Sequence, residues 1–157
     1  MLMIHPNKCT GCKCCERACA LEHGDASHPG ASRVHAFTWK SPRFSVPMMC
    51  QQCEEAACVK VCPTGAMHHS ETGGNLVELD KDRCIGCKMC VVACPFGNVH
   101  YDSTAKCIAK CDTCAGAPHC VAKCRTGALE FVEDDAQSLT RKRALAEKLK
   151  DAFTGTP

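Results

Sequence analysis

Short stretches with every second residue apolar alternate along this chain with stretches in which cysteine recurs every third or fourth position. A period of two marks strands with one buried face. It predicts seven of them, at residues 2–5, 34–39, 43–47, 66–68, 76–79, 99–101 and 129–132. Helical spacing in the cysteine-rich stretches predicts short helices at residues 15–21, 57–62, 90–94 and 119–124. Gly11, Gly65, Gly86, Gly97 and Gly127 predict tight turns that let backbone N–H groups approach sulfur. After Val132 the pattern changes to a cysteine-free amphipathic helix over residues 134–153, capped by Asp134 and Asp135. Its apolar side carries Ala136, Leu139, Leu145, Ala146, Leu149, Ala152 and Phe153, opposite Arg141, Lys142, Arg143, Lys148 and Lys150. Such a helix packs on its own domain, docks another subunit, or joins copies of the chain by self-association, with a frayed tail as the remaining alternative.

Apolar mass alone does not close a core here. The chain has 157 residues, an aromatic content of 4% and eighteen cysteines, so disulfides or metal must hold it. Disulfides require an oxidising compartment. The segment Met1-Leu2-Met3-Ile4-His5 has neither a basic start nor a long apolar stretch, so no secretory leader is read. No run approaches the roughly 18 apolar residues of a direct membrane span. The expectation is a soluble, cytoplasmic protein whose reduced cysteines bind metal.

Sixteen of the eighteen cysteines fall into four blocks: Cys9, Cys12, Cys15, Cys19; Cys50, Cys53, Cys58, Cys62; Cys84, Cys87, Cys90, Cys94; and Cys111, Cys114, Cys120, Cys124. Every block closes with a Cys-x3-Cys step. Zinc ribbons use pairs of Cys-x2-Cys and have no use for a third cysteine in the run. The first and third blocks fit the bacterial cluster-binding run, and Pro95 follows the third. The reading is four [4Fe-4S] clusters.

In two-cluster ferredoxins three cysteines wrap one cluster and the fourth reaches the other. The blocks must then pair. The second and third are joined by a short hairpin at residues 68–79 and form an inner pair, leaving the first to pair with the fourth. The fold class expected is α+β, with one ferredoxin-like unit (residues 41–104) inserted in another (residues 1–40 and 105–132). Cluster 1 would take Cys9, Cys12, Cys15 and Cys124; cluster 2 Cys50, Cys53, Cys58 and Cys94; cluster 3 Cys84, Cys87, Cys90 and Cys62; cluster 4 Cys111, Cys114, Cys120 and Cys19. Tandem pairing, first with second and third with fourth, is the alternative, disfavoured by the Gly- and Pro-interrupted stretch between Cys19 and Cys50.

Clusters would change the charge balance. At about −2 each they take the formal +2 to about −6. Eleven of the nineteen basic residues lie in or beside the blocks: Lys8, Lys13, Arg17, Lys60, Lys81, Arg83, Lys88, Lys106, Lys110, Lys123 and Arg125. Individually each reads as solvated surface; together they offset cluster charge. The histidines, including His68, His69 and His119, are assigned to the surface, and the spare Cys14 and Cys107 to buried thiols. Cys107 has a second reading, as a replacement ligand in the fourth block. No catalytic triad, phosphate loop or nucleotide fingerprint is present, and aromatics are too few for base stacking, so no catalytic residues and no nucleic acid are expected.

Cys-Gln-Gln-Cys at 50–53, Cys-Pro-Thr-Gly-Ala at 62–66, Cys-Ile-Gly-Cys at 84–87, Cys-Pro-Phe-Gly at 94–97 and Lys-Cys-Asp-x-Cys at 110–114 carry a family resemblance. Residues 3–132 resemble the four-cluster ferredoxin-type electron-transfer subunits of molybdenum and tungsten oxidoreductases, formate hydrogenlyase and carbon monoxide dehydrogenase. The resemblance implies nested pairing of the blocks and a non-catalytic relay. Its partners would be a catalytic oxidoreductase subunit (molybdenum/tungsten or nickel type) and an acceptor: a flavin subunit, a ferredoxin or a hydrogenase. The compact form and the opening Cys-Thr-Gly-Cys-Lys-Cys-Cys-Glu look most like the compact subunits that serve aldehyde-oxidising tungsten enzymes or carbon monoxide dehydrogenase, and the aldehyde type is the partner expected. Cys124-Arg125 departs from the family, where proline is common. A free-standing polyferredoxin and a zinc-stabilised structural protein are the rival readings.

Overall fold

The computed structural model describes residues 2–24, 28–41, 43–71 and 76–132. The helix expected over residues 134–153 and the turn of the 68–79 hairpin lie outside them. Within them the fold is a small α+β assembly of two-stranded antiparallel sheets and short helices.

Strand β1 (Leu2–Ile4) is followed by a 3-10 turn, Pro6–Lys8, and by α1 (Cys14–His23). The hairpin β2 (Val34–Trp39) and β3 (Phe44–Met49) comes next, then α2 (Ala57–Lys60), β4 (Met67–His69), β5 (Val77–Leu79) and α3 (Met89–Ala93). Strands β6 (Val99–Asp102) and β7 (Cys107–Lys110), a 3-10 segment at Thr113–Gly116, α4 (His119–Ala122) and β8 (Leu129–Phe131) complete the order.

The first strand pairs with the last, Met3 opposite Glu130, so the beginning and end of the described chain close one sheet. The other sheets are local: β2 with β3, β4 with β5, β6 with β7. All seven predicted strands are found, with boundaries within two residues of those expected. Strand β7 was missed, because Cys107-Ile-Ala-Lys110 has no polar–apolar alternation to mark it.

Apolar side chains gather in two buried clusters. Val34, Ala36 and Met49 of the β2–β3 hairpin join Cys15, Cys19, Cys120 and Leu129 in one. Ala56, Met67, Val77, Cys90, Val99 and Ile108 form the other. Helix α1 packs on α4, and α2 on α3. The β2–β3 hairpin thus packs on the core that includes the first and fourth cysteine blocks. It also closes over the first cysteine loop: a Cβ on Gly11, whose φ is +68°, would sit 2.4 Å from Thr38 Oγ1 and 2.8 Å from Ser45 Oγ. Only glycine allows that approach.

Candidate iron–sulfur centre

Helices this short cannot be stable alone. Their function is to present sulfur. Helix α1 carries Cys15 and Cys19 four residues apart, on one face. Lys13 and Lys88, both in the left-handed region (φ 59° and 63°), turn the chain from a Gly-Cys step into α1 and α3. All eighteen cysteines are unpaired.

The cysteines come together in sets. Cys9, Cys12, Cys15 and Cys124 line one cavity together with the spare Cys14, with Ala36, Pro47 and Leu129 as apolar wall. Cys50, Cys53, Cys58 and Cys94 line a second, with Ala56, Val77 and Val99. Cys62, Cys84, Cys87 and Cys90 line a third, with Met67, Leu79 and Ile108. Cys19, Cys111, Cys114 and Cys120 form a fourth group by mutual electrostatic effect: burial first, then the charges of Cys111, Cys19 and Cys114, push the Cys120 thiol up to about 12. In each set three cysteines come from one block and the closing cysteine from another.

The sets also have neighbours. Cys50 of the second acts on Cys111 of the fourth, whose thiol burial raises to about 12. Cys58 of the second acts on Cys90 of the third, another thiol raised chiefly by burial. Helix α1 joins the first and fourth through Cys15, pushed by burial to about 11, and Cys19. A line of four sets results, with the exposed Cys12 in the set at one end and the exposed Cys87 in the set at the other.

Cys62 and Cys124 behave differently from the buried sulfurs. Burial raises both, but hydrogen bonds outweigh it and leave them below the ordinary thiol range. The sequence repeats itself here: Cys62-Pro-Thr-Gly-Ala-Met and Cys124-Arg-Thr-Gly-Ala-Leu. In the first copy Met67 N donates to Cys62 Sγ at 3.4 Å, and Thr64 Oγ1 lies 3.7 Å away. In the second, the backbone N–H of Leu129 and the Thr126 hydroxyl, 3.8 Å from the sulfur, do the same. The Pro-to-Arg departure at 125 leaves this arrangement intact.

Two observations besides cysteine chemistry fit iron–sulfur clusters. The side-chain Nδ2 of Asn98 is buried, has no hydrogen-bond partner among the described residues, and belongs to a residue lining the Cys50, Cys53, Cys58, Cys94 cavity. A buried donor without a partner is costly, and an inorganic sulfide would accept from it. Backbone N–H groups also point at sulfur, as Arg33 N does to Cys19 Sγ at 3.2 Å.

Three sequence expectations need correction. Lys110 is buried, 4% exposed, where a solvated lysine was expected. His23 is no surface residue: its side chain is 11% exposed, contacts Arg33 Nη1 at 2.7 Å and stands 3.7 Å from Cys114 Sγ. Burial first, then the Arg33 charge, lowers its proton affinity. With Asp112, which accepts from Arg33 at 2.8 Å, His23 and Cys114 bring three metal-ligating side chains within 4.8 Å of one another. The signal lay in the sequence, since His23 follows Cys19 by one helical turn. Cys14 and Cys107 are half-buried rather than buried, and Cys107 lines a groove with Cys84, Tyr101, Lys81 and Lys106, away from the fourth set.

Sets of four sulfurs in apolar cavities define an iron–sulfur protein. Comparison with known proteins gives its family: the 4Fe-4S dicluster domain matches residues 43–134, and the chain belongs to that family. It is 39% identical over 123 residues to the aliphatic sulfonate oxidoreductase polyferredoxin-like subunit of Pyrococcus furiosus, covering 78% of this chain and 70% of that one. The thiosulfate reductase electron transfer subunit PhsB of Salmonella typhi is 39% identical over 156 residues, covering 89% and 79%. The B subunit of the anaerobic dimethyl sulfoxide reductase of Escherichia coli is 36% identical over 146 residues, covering 82% and 70%. No helix among the described residues is long and apolar enough to cross a membrane.

Proposed function

We propose that this chain is the non-catalytic electron-transfer subunit of an oxidoreductase complex and holds four [4Fe-4S] clusters. The observation that carries the reading is the composition of the sulfur sets, three cysteines from one block and the closing cysteine of another. Cys9, Cys12, Cys15 and Cys124 would hold one cluster; Cys50, Cys53, Cys58 and Cys94 the next; Cys84, Cys87, Cys90 and Cys62 a third; Cys111, Cys114, Cys120 and Cys19 the fourth. The two buried cores support nested ferredoxin-like units, with the β2–β3 hairpin counted in the outer one.

When bound, the clusters supply one-electron redox chemistry. The chain's own residues hold them apart from water, donate backbone N–H groups to sulfur, and balance their charge with buried and flanking lysines. The two exposed cysteines lie in the end sets. Ile85 and Met89 are exposed and line the cavity of Cys87, and Phe37, Trp39 and Phe44 are exposed on the hairpin that packs against Gly11 beside Cys12. These apolar surfaces suit contact with protein redox partners, a catalytic subunit at one end and an acceptor at the other.

The family relatives named above are subunits of several oxidoreductases, and the sequence resemblance narrows the first partner to test to an aldehyde-oxidising tungsten enzyme. Purification of the native complex and identification of the co-eluting large subunit tests this. A large oxidoreductase subunit in fixed ratio is the expected result. Elution of this chain alone, with clusters intact, would make it a free-standing polyferredoxin instead.

A further inference from the structure

Lys110 ends β7 and is 4% exposed. Its ammonium has three donors, and three oxygens receive them: Val77 O at 2.6 Å, Cys111 O at 3.0 Å and Gln52 Oε1 at 3.1 Å. All three acceptors are neutral. No carboxylate lies within ion-pair distance of Lys110 among the described residues.

A buried ammonium without a counter-ion is unfavourable unless negative charge lies near it. Here sulfur surrounds it on two sides. Lys110 lines the cavity of Cys50, Cys53, Cys58 and Cys94, and it directly precedes Cys111 of the neighbouring set.

Gln52 holds the ammonium there. Its Oε1 also accepts from Val77 N at 2.9 Å, and its Nε2 donates to Cys111 O at 2.9 Å. One amide thus ties the second cysteine block, strand β5 and the start of the fourth block together. Gln52 itself sits in the left-handed region at φ 49°, a conformation unfavourable for a side-chain-bearing residue and kept by these bonds.

We propose that Lys110, positioned by Gln52, is the shared counter-charge of the two middle clusters and raises the reduction potentials of both. The proposal rests on the four-cluster reading above. The potential of a cluster follows its net charge and the charge around it, and a fixed cation between two of them favours the electron at the centre of the line. Lys110 lines neither of the cavities of the two end sets. Lys110 is a positioning residue in this role, since it acts through the sulfurs it neighbours.

The experiment is a redox titration of the purified full-length chain followed by electron paramagnetic resonance, comparing the unaltered protein with Lys110→Met and Gln52→Glu. Methionine keeps the length and removes the charge; glutamate keeps the acceptor and neutralises the ammonium in place. With iron and sulfide content retained, two of the four potentials should fall by at least the equivalent of a tenfold change in the reduction equilibrium, 59 mV for one electron. The other two should hold. If Lys110→Met fails to keep its iron, Gln52→Glu decides by the same criterion. Unchanged potentials, or all four moving together, would overturn the proposal. Loss of iron from both variants would also overturn it, by making the pair a structural strut. An unaltered protein with far less iron and sulfide than four clusters need would instead count against the four-cluster reading.

Discussion

Thr64 and Thr126 each stand two residues after a closing cysteine, with hydroxyls 3.7 and 3.8 Å from Cys62 and Cys124 Sγ. The two sulfurs belong to the sets at opposite ends of the line, so the repeated Cys-x-Thr-Gly-Ala turn treats both ends alike. Hydrogen bonds to sulfur raise a cluster's potential. Thr64→Val should lower the potential of one end cluster and Thr126→Val that of the other. The drop should be roughly 40 mV for a bond worth about 1 kcal/mol, read by the same titration. Equal effects of either change on all four clusters would contradict the assignment. His35 gives a pH effect. Burial first, then the facing His100 with ring centroids 5.7 Å apart, and Lys13, lower its proton affinity, while Glu16 raises it. The net value lies below the ordinary histidine range, so on acidification the unfolded chain takes the proton first. Stability is therefore lost as pH falls through that range and is unaffected well above it. His35→Gln should narrow the gap in unfolding temperature between pH 7.5 and 5.5, and an unchanged gap would refute the assignment.

At the scale of elements, strand β3 was readable because Phe44 and Val46 alternate with Arg43, Ser45 and Pro47, although the face the structure buries is that of Ser45, Pro47 and Met49. Strand β7 was not, because its inward Lys110 breaks the apolar pattern that would reveal it. Its pairing with β6 is local, across residues 103–106, with Val99 opposite Lys110 and Tyr101 opposite Ile108. The short helices were readable only through cysteine spacing, since their apolar content is too small to mark them. Met67 shows how strand and site are coupled. It is 1% exposed, lines the cavity of Cys62, Cys84, Cys87 and Cys90, and donates its N–H to Cys62. Met67→Ala removes buried volume at a cost of about 2–5 kcal/mol. Iron release to a chelator should become biphasic, with roughly a quarter leaving in a fast phase as one cluster is lost before the others. A single phase at the unaltered rate would contradict this coupling.

For the whole molecule, the sulfur content of the site was legible and its electrostatics were not. Cysteine spacing is set by the reach of a local loop, so sixteen candidate ligands stand out in the sequence. The residues that set charge around them, Lys110, Gln52, His23 and Arg33, meet only after the blocks fold together. Gln52 and Lys110 are 58 positions apart, and Arg33 and Asp112 are 79 apart. The same geometry makes binding and folding one event, because each closing cysteine ties its block to another and no block completes a set alone. The most direct test is the iron and acid-labile sulfide content of the anaerobically purified full-length chain. Four [4Fe-4S] clusters predict about sixteen of each per chain. About eight of each, or zinc without sulfide, would contradict the account.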